Sequence, residues 1–417
     1  MFCKLTSLAF VCSAIVLIAA SCQGNQKQNV NMVQGIPTFD FQAEYPVKEL
    51  AFQDVADVEY IPLETTDSSL ISSVQYMFVS DNEIITHNYQ TESVIIFDRT
   101  GKYKSSFSRK GGSEKEYAYL SDMTVDFDAK EIYIFDYRGL APSKVKVYSF
   151  TGNYLRSLPT VADSLCLEIM DYDKDSLFAE DVAHTDLAEH LIDAFKPSQE
   201  PYYLISKQTG EMRPLKLHVN DRLRNQINET LLLERDYSET LSINIPIYPV
   251  SKCGKEIFVA DFGLDTIYSL QAGQWTPVAA KVNRRTSHGS VIMTEVCMQS
   301  EKYLLLYTFD KRLLTKNPPT GPDPVFYLYD KANGKIEIVE LFNRDGISYK
   351  EMLSLNAAAF PSSSYSILPA NTMRFCYSSS YLLEKLEKGE LKGKLKEVAE
   401  KLDVEDNPVL VLVKFKE

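Results

Sequence analysis

The sequence predicts an all-β fold, a six-bladed β-propeller with a C-terminal helical insertion in its last blade. Three observations carry this expectation. Glycines stand in polar turns at positions 101, 152, 210, 273 and 334, spaced by about 50–65 residues, roughly the length of a propeller blade. A pair of strand-like apolar runs precedes each of these turns. The two ends of the chain supply one more strand each, Val58–Leu63 and Val409–Phe415. Pairing them closes a ring and removes two exposed edges.

The unit is clearest in Glu131–Tyr154. Ile132, Ile134, Val145 and Val147 alternate with Tyr133, Phe135, Lys146 and Tyr148, the period of two expected of strands. Thr151-Gly152-Asn153 then closes the second strand, because glycine takes positive φ without steric cost. Earlier in the chain, 83–86 and 93–98 lead to Gly101. Later, 177–179 with 202–205 lead to Gly210, 257–261 with 266–270 to Gly273, and 303–306 with 326–330 to Gly334. Five such turns and one terminal closure make six blades. Asp136 and Gly152 recur by position within the unit and read as architectural. Ser380–Leu402 breaks the pattern, since Leu391, Leu395, Val398 and Leu402 follow helical spacing. Gly389 and Gly393 predict a bend or a break into two short helices there. A second helix is expected over Asp221–Glu234.

The first residues are an address. Lys4 precedes the apolar run Leu8–Ala20, which is shorter than the roughly 20 residues a spanning helix needs. It ends in Ile18-Ala19-Ala20-Ser21-Cys22, which resembles a bacterial lipobox. That resemblance implies acylation of Cys22, and so a membrane partner reached through a lipid anchor. Gln23, rather than Asp, follows Cys22. By resemblance to Gram-negative lipoproteins this implies the outer membrane. No acidic cluster follows Cys22, which favours a body facing the periplasm over one at the cell surface. The polar run Gln23–Gln34 reads as a tether. The expected organisation is a signal peptide over 1–21, a polar tether over 22–50 and the propeller over 51–417.

Charge and motifs narrow the function. The net charge of −13 argues against a nucleic-acid partner, which requires a basic face. Cys166, Cys253, Cys297 and Cys376 are widely separated and form no CxxC. They leave open one or two disulfides or buried thiols, and they offer no metal spacing. Asp171-Tyr172-Asp173-Lys174-Asp175 imitates a calcium loop. Ser176 stands where that loop needs Gly and Val182 where it needs Glu, so a polar hairpin turn is expected instead. Gly111-Gly112 beside Arg109 and Lys110 could form an anion-binding turn, although glycine for backbone reasons is the simpler reading. The histidines at 87, 184, 190, 218 and 288 show no HxH or HExxH spacing, and neither a GxSxG nor a P-loop is present. No catalytic residue, metal ligand or cofactor is therefore assigned.

A family resemblance rests on Val58–Thr65, Ile96–Lys102, Arg109–Tyr117 continuing to Asp126, Ile132–Asp136, and the C-terminal helix with Asn407–Leu412. With these the chain resembles the six-bladed β-propeller lipoproteins of Bacteroidetes, related to NHL-repeat propellers. The resemblance implies the fold and assigns no reaction. A binding or scaffold module for a protein or glycan partner is the expected function. Tyr137, Arg138, Arg284, Arg285 and His288 are candidate contacts on loop tips. The alternative is a carbohydrate-active hydrolase or lyase with paired carboxylates at the channel mouth.

Overall fold

The computed structural model describes residues 32–33, 35–72, 76–88, 90–138, 141–159, 167–181, 200–219, 249–285, 291–311, 325–349, 351 and 366–417. An N-terminal arm holds β1 (Met32–Val33), β2 (Ile36–Asp40), β3 (Val47–Ala51), α1 (Phe52–Val55) and β4 (Ala56–Pro62). Blade 1 follows with β5 (Met77–Val79), β6 (Glu83–Asn88), β7 (Ser93–Asp98) and β8 (Tyr103–Phe107). Blade 2 has β9 (Leu120–Asp126), β10 (Glu131–Arg138), β11 (Ala141–Ser149) and β12 (Tyr154–Pro159). Blade 3 has β13 (Leu167–Asp171), β14 (Ser176–Asp181), β15 (Tyr202–Ser206) and β16 (Met212–Pro214). Blade 4 has β17 (Val250–Cys253), β18 (Glu256–Val259), β19 (Thr266–Gln271) and β20 (Gln274–Val282). Blade 5 has β21 (Val291–Gln299), β22 (Tyr303–Lys311), β23 (Val325–Asp330) and β24 (Lys335–Phe342). The chain ends with β25 (Ser366–Ile367), β26 (Thr372–Tyr377), α2 (Ser379–Glu387), α3 (Gly393–Ala399) and β27 (Val409–Phe415); β26 and β27 form blade 6 with β4.

The six sheets pack through six apolar clusters, one at each blade-to-blade interface. The period of two explains why. Ile132 and Ile134 face blade 1, among Ile85, Val94 and Ile96. Tyr133 and Phe135 face blade 3, among Ile169, Leu177 and Ala179. Both faces of a central strand are therefore covered, and its sequence is apolar throughout. Each fully buried aliphatic or Phe side chain contributes about 1.5–3 kcal/mol, which makes the ring of interfaces the main source of stability.

The ring closes as expected: β4 pairs antiparallel with β27 from Val409↔Pro62 to Phe415↔Ala56. The five turn glycines all have positive φ, from 68° to 90°. Three of them also lie hard against the preceding blade. A Cβ on Gly101 would stand 2.2 Å from the Pro62 carbonyl, one on Gly152 2.5 Å from the Phe107 ring, and one on Gly210 2.7 Å from the Pro159 carbonyl. Gly334 has positive φ but open space around it. Gly101→Ala should therefore cost about 2–3 kcal/mol, and Gly334→Ala only about 1 kcal/mol. Urea denaturation of both variants checks this, and equal losses would show that the close approach is unimportant.

One boundary moves. The expected tether reached residue 50, but residues 36–51 are built into the sheets. β2 adds parallel to β20 and β3 adds parallel to β24, covering the outer edges of blades 4 and 5. Few apolar side chains anchor these short strands, chiefly the fully buried Phe39 and, at the end of β3, Leu50 and Ala51, so the segment reads as polar. The helical insertion lies between β26 and β27 and breaks in two. Gly389 and Gly393 both take positive φ, and Leu382, Leu391, Leu395 and Ala399 join the core between blades 5 and 6. The helix expected over 221–234 lies outside the described residues.

Candidate functional site

Antiparallel order within each blade gives the ring two different ends. The turns between first and second strands and between third and fourth strands lie at one end, the hairpin face. The remaining connections within and between blades lie at the other, the loop face. At the hairpin face two carboxylates, Asp126 and Asp171, come together near the axis.

Asp126 ends β9 and Asp171 ends β13, the innermost strands of blades 2 and 3. Lys207, in the turn after β15, donates to Asp126 Oδ2 at 2.5 Å and to Asp171 Oδ1 at 2.6 Å. Two carboxylates bound to one ammonium stand within about 5 Å of each other, the spacing retaining glycosidases use. Lys252 of β17 adds a contact to Asp171 Oδ2 at 3.3 Å and a second to the Asp171 carbonyl. The four residues thus join blades 2, 3 and 4. Burial raises the Asp126 carboxyl, but hydrogen bonds from the Ala129 N–H and Lys207 outweigh it and hold the pKa below the ordinary value. Burial also works against charge on Lys207, where Asp171 and Asp126 prevail and raise its pKa. Lys252 is pushed down by burial, which Asp171 only partly offsets. A general acid needs a raised carboxyl pKa, whereas that of Asp126 is depressed and this pair is bridged by Lys207. Its chemistry is that of a structural tie.

Deeper along the axis, side chains of β9 replace backbone pairing with β13. Asp122 Oδ2 accepts the Ile169 N–H at 2.5 Å and Thr124 Oγ1 accepts the Asp171 N–H at 2.8 Å. Burial pushes the Asp122 carboxyl up to about 7, against hydrogen bonds from Ile169, Met123 and Tyr76. On the hairpin face the turns of blades 4 and 6 approach each other, since a Cβ on Gly254 would lie 3.3 Å from the Ala370 Cβ.

The residues singled out from sequence fall in several places. Arg284 and Arg285 stack over the Phe262 ring at 5.2 and 5.7 Å. Arg284 donates to the carbonyls of Phe262 and Leu264, so its fork shapes a connection rather than pointing at a ligand. Beside it, burial pushes Lys281 down to about 7, and its ammonium serves the carbonyls of Ala260 and Asp261 at 2.6 and 2.7 Å. Tyr137 and Arg138 end β10. Cys22, Cys166, His184, His190 and His288 lie outside the described residues. Cys297 and Cys376 are buried free thiols whose pKa values burial raises.

The remaining motifs resolve simply. Asp173 Oδ1 accepts the N–H groups of Asp175 and Ser176, which makes 171–175 a hairpin turn. At Gly111-Gly112 the chain supplies its own anion: Glu116 accepts the Ser113 N–H at 2.9 Å, and a Cβ on Gly111 would meet that carboxylate at 2.2 Å. Asp136 accepts the Ala118 N–H at 2.8 Å and organises the entry to β9. The Lys207–Lys252 tie was missed in the sequence. Its partners stand 36 to 81 residues apart, and the lysines sit in ordinary turn and strand contexts. Asp126 and Asp171 could be noticed only as residues flanking turns.

With the propeller and its axial tie in view, comparison with known proteins is informative. A family model described as a domain of unknown function, DUF4934, matches residues 36–414. The chain belongs to the DUF4934 family. The match begins at β2, in agreement with the structural boundary. Among curated proteins nothing matches the DUF4934 chain. A solved structure shares its architecture. A protein from Bacteroides fragilis NCTC 9343 that is named as exported is 15% identical, with a TM-score of 0.59 over 91% of this chain and 99% of that one. A DUF4221 family member from Bacteroides vulgatus is 11% identical, with a TM-score of 0.46 over 87% of this chain and 97% of that one. The first likeness shows the propeller fold alone.

Proposed function

We propose that the DUF4934 propeller is a binding or scaffold module held at the outer membrane by acyl chains on Cys22, with its body in the periplasm. The observation that carries this reading is the lysine-locked carboxylate pair. A hydrolase or lyase would draw on such a pair, and here it is committed to holding blades together. Ligand recognition is then left to the loop face, where connections differ in length from blade to blade. In blade 2 β10 ends at Arg138 and β11 begins at Ala141, whereas in blade 3 β14 ends at Asp181 and β15 begins at Tyr202.

Export agrees with the name borne by the Bacteroides fragilis neighbour. Among the described residues no helix is long and apolar enough to cross a membrane, so a lipid is the attachment this reading requires. Each buried acyl methylene contributes about 0.8 kcal/mol. Cys22→Ala should move the protein from the membrane pellet to the soluble fraction, and a variant that stays in the pellet would remove the anchor from the proposal. Affinity capture from detergent-solubilised envelope tests the module. Recovery of no protein or glycan by the full chain would count against it.

A further inference from the structure

Tyr119 is 58% exposed and immediately precedes β9 at the loop face, yet the chain on both sides of it is pinned. The Tyr117 hydroxyl donates to the Glu92 carbonyl at 2.6 Å and accepts the Arg109 N–H at 3.0 Å. The Ala118 N–H is held by Asp136, and the Leu120 N–H by Glu92 Oε2 at 3.1 Å. The connection leading to Tyr119 is fastened to blade 2 by Arg109 Nε on the Gly152 carbonyl at 2.7 Å, Tyr148 on the Lys115 carbonyl at 2.9 Å, and Lys146 on the Glu114 carbonyl. Glu92 itself takes φ +47°, a left-handed conformation that costs a non-glycine residue about 1–3 kcal/mol and that collects at functional sites. Its carboxylate pairs with Lys110 Nζ at 2.6 Å, and that ammonium stands 5.6 Å from the centre of the Tyr119 ring. Lys110 is half exposed.

We propose that Tyr119, Lys110 and Glu92 form a saccharide-binding platform at the loop face between blades 1 and 2. The negative face of an aromatic ring attracts the polarised C–H face of a pyranose. The adjoining ammonium offers further N–H donors to neighbouring hydroxyls, and Glu92, held by the Leu120 N–H, keeps it in place. Because Glu92 already matches the charge of Lys110, the site suits a neutral sugar. The Lys110 ammonium lies over one face of the ring, and the exposure of Tyr119 leaves the other face to a sugar. Pinning of the flanking residues lowers the ordering cost on binding. The platform names a ligand class for the binding module proposed above and rests on that reading.

An array of neutral and uronic-acid oligosaccharides, probed with the full chain and with Tyr119→Ala, Tyr119→Phe and Lys110→Met, tests it. The native chain should retain at least one neutral oligosaccharide. Tyr119→Ala should weaken that binding about tenfold or more, Lys110→Met severalfold, and Tyr119→Phe little, since the ring face remains. Unchanged thermal unfolding of Tyr119→Ala, whose side chain is exposed, shows that the fold survives. A sugar held equally well by Tyr119→Ala overturns the platform and leaves the binding module intact. Binding confined to uronic acids overturns it as well. A native chain that holds no sugar but captures a protein through Tyr119 has the same meaning, and one that captures nothing overturns both readings.

Discussion

Lys207→Met should lower stability by about 3–5 kcal/mol at neutral pH, because removing one member of a buried ion network strands its partners. The ammonium is 4% exposed, and it is shared by carboxylates that are 9% and 19% exposed. Lys252 remains beside Asp171 at 3.3 Å, so Asp126 bears most of the loss. The pH dependence follows from the direction of its shift. In the native protein the folded Asp126 pKa is depressed. Its contribution is therefore fully present above the unfolded carboxylate value and is lost as pH falls through the folded one. Without Lys207, burial dominates and raises that pKa, so the variant should recover part of its deficit as mild acid protonates Asp126. Urea denaturation at pH 7 and pH 5 measures both effects. Adding Asp126→Asn to Lys207→Met should restore stability through the coupling term of a double-mutant cycle. A Lys207→Met protein as stable as the native one at pH 7 would remove the structural role assigned to the tie and reopen the carboxylate pair as a catalytic candidate.

Asn407→Ala should have a comparable effect, about 3–5 kcal/mol, from a single neutral side chain. Asn407 is 3% exposed. Its Oδ1 accepts the Ile71 N–H at 2.9 Å, and its Nδ2 donates to the carbonyls of Glu64 and Ser69 at 3.0 and 2.8 Å. Its own N–H donates to Thr65 Oγ1 at 2.8 Å. These bonds fasten the segment after β4 to the segment before β27, the two strands that close the ring. Each buried backbone group left without a partner costs about 1–3 kcal/mol; the Ile71 N–H and the Ser69 carbonyl lose theirs, while the Glu64 carbonyl keeps the Ser69 hydroxyl at 2.7 Å. Asn407→Asp should be no better, since it keeps the acceptor but sets a carboxylate against two carbonyls. Limited proteolysis should find the ring opened at 64–71 in both variants, and thermal unfolding should report the loss. Native-like protection of that segment in Asn407→Ala would mean that strand pairing alone closes the propeller.

These two residues show different degrees of legibility. Asn407-Pro408 preceded a terminal strand in the sequence, so its place at the closure could be read. Its four hydrogen bonds could not, because they reach a segment more than 330 residues away. Lys207 gave less warning, since a lysine after a strand in Ser206-Lys207-Gln208-Thr209-Gly210 resembles any solvated turn residue. The N-terminal strands were hidden for another reason. Parallel addition to an outer edge uses backbone hydrogen bonds, which any residue but proline can make, and β3 pairs with β24 through the unremarkable run VKELA. Tyr119 was passed over because an exposed tyrosine in a connection carries no periodic signal.

What the sequence by itself determined is what repeats. Blade number follows from the turn glycines, whose positive φ is a local demand, and from apolar runs that must cover two faces. Closure follows from the unpaired strands at the two ends, and the two short helices follow from Gly389 and Gly393. The tertiary structure alone decided which charges meet. Glu92, Lys110 and Tyr119 converge at the loop face, and Asp126, Asp171, Lys207 and Lys252 converge at the hairpin face, because a closed ring sets the ends of successive blades side by side. That juxtaposition depends on the twist and packing of whole sheets, which no stretch of sequence encodes locally. The same residue types are therefore solvated in one blade and bound in another.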